Sequence, residues 1–136
     1  MKKDLSNGLK LGSLIWFLAF VYATTIMILI GVDFSDTDNP FGIHHDKYWL
    51  FELIMQPSFL IFVTWLLIRH FKTNSYENKE LWTLGIAIAA VQFILDLLVI
   101  VIALGNGLEY FVALVSLVYI LIPFYVYYLG KRYQSK

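Results

Sequence analysis

Cysteine is absent from the chain. With it go disulfides, thiolate metal sites, thiol nucleophiles and CxxC redox pairs. Net charge is lacking too, since ten Lys and Arg balance ten Asp and Glu; no overall field draws the protein toward nucleic acid or an acidic partner. No G-x-S-x-G, H-E-x-x-H, P-loop or dinucleotide-binding glycine pattern occurs, which leaves catalysis without a motif and gives no reason to expect a cofactor.

Apolar side chains are what the chain has in abundance. They make up 60% of its 136 residues, against roughly 45–50% in a soluble domain, and the mean hydropathy is +0.71. A soluble protein of this size could not hide so much apolar surface, because small domains bury a modest fraction of their area. Lipid is therefore the expected solvent.

A membrane helix needs about 20 mostly apolar residues, and the sequence predicts four, at about 11–32, 48–68, 81–104 and 110–129. Only Glu52 interrupts the second and only Asp96 the third. The first uncharged stretch is longer than the 7–15 residues of a signal-peptide core, and no A-x-A site follows it, so it reads as an uncleaved span. No stretch alternates as a barrel strand does. The expected fold is all-α, one four-helix transmembrane bundle running up-down-up-down. The connection Gly105–Glu109 is short enough to make the third and fourth spans antiparallel neighbours.

Lys and Arg set the orientation. Lys2, Lys3 and Lys10 precede the first span, Arg69, Lys72 and Lys79 follow the second, and Lys131, Arg132 and Lys136 follow the fourth. Only Lys47 falls on the other side, so both termini are expected in the cytoplasm. The Lys, Asn and Ile content suggests a prokaryotic inner (plasma) membrane. Tyr48, Trp49 and Tyr110 read as aromatic anchors at the outer interface, and Trp65, Trp82, Tyr128 and Tyr133 at the inner one.

Asp96 is the most informative residue. A carboxyl near the middle of a span costs about 2.5–3.5 kcal/mol on insertion scales and is a functional candidate by default. Gly85, Ala89, Gln92, Asp96 and Ala103 share one helical face with small residues that permit close approach; Ile94, Leu98 and Val101 fall toward lipid. Asp96 lies eight residues before Leu104, about 12 Å below the outer end at 1.5 Å per residue. Gln56 reaches a similar level, with Glu52 one turn above it. The expected site is an outer-half polar pocket of Asp96, Gln92, Gln56 and Glu52, joined by Tyr119 and by Thr24 or Thr25. For Glu52 alone, snorkelling outward is the stronger reading. Pro57 and Pro123 each free a carbonyl one turn back, at Leu53 and Tyr119.

His44, His45 and Asp46 resemble a metal-ligand set, but adjacent histidines on a loop lack a spacing that fixes geometry. A solvated acidic loop explains them better, and no metal is expected. The function expected is binding or transport of a small solute, cation or proton through the pocket around Asp96, by a chain whose partners are the bilayer and a second copy of itself. The alternative is a non-catalytic accessory or assembly subunit, with Asp96 meeting a basic residue of a partner membrane protein. A lipid-directed enzyme combining Glu52, Asp96, His44 and His45 ranks third.

Overall fold

The computed structural model describes residues 2–33, 47–112 and 115–135. These residues are all-helical in their regular structure. α1 is Lys2–Leu29, α2 is Tyr48–Thr73 and α3 is Asn78–Leu95; a π-helical segment, Asp96–Ala103, continues α3. A 3-10 turn, Leu108–Val112, then precedes α4, Val115–Tyr133. Among the described residues, three stretches are long and apolar enough to cross a membrane, Lys3–Leu29, Tyr48–Thr73 and Asn78–Ala103. α4 is not among them: it has 19 residues, with Lys131 and Arg132 in its last turn. The sequence starts this span at Tyr110, whereas Tyr110 lies in the 3-10 turn.

The helix ends follow local chemistry. Gly31, at φ +72°, supplies the left-handed residue that closes α1. The Gly31 N–H then donates to Ile28 O (3.1 Å) and the Val32 N–H to Met27 O (2.9 Å), which satisfies two orphan carbonyls. Lys47 Nζ donates to the carbonyls of Ile30 and Gly31. The one basic residue outside the three basic segments thus caps a helix C-terminus, where the macrodipole favours a cation. α3 opens on a capping box in which the Glu77 N–H donates to Glu80 Oε2 at 2.7 Å and the Glu77 side chain accepts in return, an arrangement that serves two orphan donors.

α3 packs on α1 and α4, while α2 packs on those same two helices from the other side. Matching contacts give the directions. On α1, Gly8 sits against Leu84 and Ala87 and Gly12 against Ile88 and Val91, so α1 and α3 run parallel. Gly85 faces Pro123, and Gly130 faces Leu81, so α3 and α4 are antiparallel. Tyr22 bonds Ser58 at 2.7 Å, and Thr64 bonds Tyr125. The three basic segments therefore gather at one end. There Tyr76 accepts from Asn7 Nδ2 (2.9 Å), lies 2.8 Å from His70 Nε2, and gives its backbone N–H to Gln134 (3.1 Å). Burial holds the Tyr76 phenol above its ordinary range, partly offset by the Asn7 hydrogen bond, so it ties these segments as a neutral hydroxyl.

Two apolar clusters result. One, around Leu67, Phe71, Leu81, Leu84 and Val126, fills the basic half. The other, around Ile26, Met27, Phe51 and Met55, joins α1 to α2 in the opposite half. Ile94 and Leu98 are exposed as expected, but Val101 is buried and Ala103 exposed, the reverse of the sequence expectation. The cause is the π segment. Its i→i+5 bonding, seen where the Leu104 N–H reaches Val99 O at 2.9 Å, turns the outward face of an α-helix inward beyond Asp96.

Candidate functional site

Asp96 stands where α3 becomes π-helical, and its backbone N–H is shared between the carbonyls of Gln92 and Phe93. Such π turns recur at functional sites. Here the consequence is geometric, because Asp96 and Ile100 are both turned inward. The Asp96 side chain is buried, at 7% exposure, and three donors converge on it. Trp16 Nε1 of α1 donates to Oδ1 at 2.7 Å. Tyr119 of α4 donates to Oδ2 by a short contact, and Tyr110 of the 3-10 turn donates to Oδ2 at 3.3 Å. A buried carboxyl without partners would be costly; this one is held by three segments outside its own helix. The hydroxyls can also turn to accept a hydrogen bond from a protonated carboxyl, whereas the indole can only donate.

A cavity of about 140 Å³ opens beside Asp96. Trp16, Phe20 and Ala23 of α1 form one wall, and Gln92 and Ile100 border Asp96 on the next. On α2, Glu52 and Gln56 face the cavity one turn apart, and Gln56 Nε2 donates to Glu52 Oε2 at 2.9 Å. Glu52 is half-buried and borders the cavity, whereas the sequence favours its snorkelling outward. Gln92 is buried, and its Nε2 donates to Gly12 O at 2.7 Å. That bond is possible because Gly12 presents bare backbone to α3.

Of the residues singled out in the sequence, Asp96, Gln92, Gln56, Glu52 and Tyr119 line this one cavity. Thr25 does not. It is exposed, and its hydroxyl donates to Val21 O one turn back at 2.8 Å; Thr24 does the same to Phe20 O at 2.9 Å. An intrahelical carbonyl is always within reach of a helical threonine, so a shared level does not bring its side chain to a pocket. His44, His45 and Asp46 lie outside the described residues. Among those described, no group of three or more His, Asp or Glu could hold a metal.

Sequence reading misses three members, Trp16, Tyr48 and Tyr110. Trp16 carried a usable signal: an indole within a span, rather than at its ends, needs an acceptor for its N–H. The sequence alone assigns Tyr110 and Tyr48 to the outer interface. Yet Tyr48 is buried at 7% exposure, and Tyr110 is turned onto Asp96 because the chain re-enters through a 3-10 turn. Trp49, by contrast, is 72% exposed, as expected of an anchor. Comparisons with protein-family models, curated proteins and solved structures find no match for this chain.

Proposed function

We propose that the protein is a small multi-pass membrane protein that binds or carries a small solute, cation or proton in the cavity around Asp96. In this reading α4 is a fourth span, the helices run up-down-up-down, and the basic end faces the cytoplasm. The cavity then lies in the outer half of an inner (plasma) membrane. The observation that carries the reading is one intramembrane carboxyl, gripped by Trp16, Tyr110 and Tyr119, beside a cavity whose far wall bears Glu52 and Gln56. An acid buried at that depth is expensive and is a functional candidate by default. A second copy of the chain would enlarge the enclosed pathway. The accessory-subunit reading has less support, because the Asp96 oxygens already accept from three donors of their own chain.

The functional test compares vesicles holding wild-type and Asp96→Asn protein under imposed cation gradients, with an entrapped pH dye as readout. Only the wild type is expected to respond. Sidedness is tested independently, since a chain without cysteine accepts single reporters cleanly. In intact cells a membrane-impermeant maleimide should label Glu109→Cys, whereas Ser75→Cys and Ser135→Cys should label only after lysis. The opposite pattern would overturn the orientation.

A further inference from the structure

Resting on the cavity reading, we infer that the ligand is a compact organic cation with an alkyl-substituted ammonium head. Three features of the cavity point there. Its walls are aromatic: Trp16 and Phe20 of α1, Tyr48 and Phe51 of α2, and Tyr110 and Tyr119 on the side nearest α3. Trp16 and Phe20 stack at 5.3 Å between centroids, and Tyr119 is braced edge-on by Phe93 at 5.7 Å, so part of the wall is held rigid. Ring faces attract cations, and quaternary ammonium groups are the ligands that aromatic cages take.

The charges agree. Asp96 and Glu52 both line the cavity, and no Lys, Arg or His does so among the described residues. Two acids facing one apolar space call for a proton or a cation. Hydrogen-bond capacity then selects among cations. Asp96 already accepts from three donors, about one short of what a carboxylate can take, so it offers little to a ligand rich in N–H groups. Glu52 accepts from Gln56 and adds its charge from the facing wall. An alkylated head needs the field of the carboxylates and the ring faces, and few hydrogen bonds. A divalent metal fits poorly, since it seeks six or more oxygens. The size is suitable: at about 140 Å³ the cavity compares with the roughly 150 Å³ that holds one benzene.

The test is calorimetric titration of the full chain in detergent with tetramethylammonium chloride, using potassium chloride and tert-butanol as charge-only and shape-only probes. Saturable binding of tetramethylammonium is expected, with none of tert-butanol and no competition from potassium. Asp96→Asn and Glu52→Gln should each weaken it at least about tenfold. Glu52→Gln, at a half-buried position, remains informative where Asp96→Asn yields no helical, monodisperse protein. Absence of tetramethylammonium binding, or binding that ignores both substitutions, would overturn the ligand class. If tetramethylammonium is not bound while potassium or acid still drives Asp96-dependent proton exchange, the ligand class falls and the cavity reading stands. If no probe separates wild type from Asp96→Asn, both fall.

Discussion

Vesicles carrying the Asp96→Asn protein are expected to show no more cation-linked pH change than vesicles without protein. The substitution is nearly isosteric, so the packing of α3 against α1 and α4 should survive. It removes the ionisable group and leaves one acceptor oxygen where there were two. Trp16, Tyr110 and Tyr119 must then share that oxygen or turn away. A coupled cation is drawn by the charge itself, and losing that attraction corresponds to roughly tenfold or more in its affinity. A mutant that responds as the wild type does would mean that the cavity is a packing defect. Partner recovery in pull-downs separates the alternatives, because an accessory subunit would lose its partner and keep no transport to lose.

Gly85→Val should be strongly damaging away from the carboxyl, destabilising the protein by about 1–3 kcal/mol, as overpacking does. A Cβ at Gly85 would lie 2.7 Å from Pro123 Cα and 3.1 Å from its carbonyl oxygen. Those are backbone atoms, and the proline ring fixes φ there, so α3 and α4 would have to separate. Gly130→Ala should cost less, although its Cβ would meet Leu81 more closely, because the atoms it meets are methyls at the end of a rotatable side chain. Unfolding in mixed micelles, followed by far-UV circular dichroism, checks the order. The Gly85 effect should also reach the site, since the α3–α4 spacing it sets is what brings Tyr119 to Asp96. Equal costs at the two glycines would contradict the close contact.

Much of this was legible in the chain, for identifiable reasons. Apolar runs of membrane length give helices wherever backbone groups must be satisfied internally; the first three expected spans became such helices, and the lone carboxyl of the third is buried. Counting residues down each helix brought Gln56 and Glu52 to the level of Asp96, because the rise per residue is constant over straight stretches. The reading failed where that regularity breaks. Val101 and Ala103 exchange faces since α3 passes into a π segment, which leaves no mark in hydropathy. Tyr110 reads as an interface residue because, in sequence, a 3-10 turn looks like the start of a span. Thr25 shares a level with the site and faces away from it. Gly8 and Gly12, spaced as G-x-x-x-G, are a readable sign of close helix approach, and α1 does meet α3 there.

The most direct test of the account is a double-mutant cycle on unfolding free energy, using Trp16→Phe and Asp96→Asn singly and together. If the indole of α1 holds the carboxyl of α3 inside the membrane, the two changes should couple by at least about 0.5 kcal/mol. Additivity within about 0.3 kcal/mol would place the two side chains apart and remove the site.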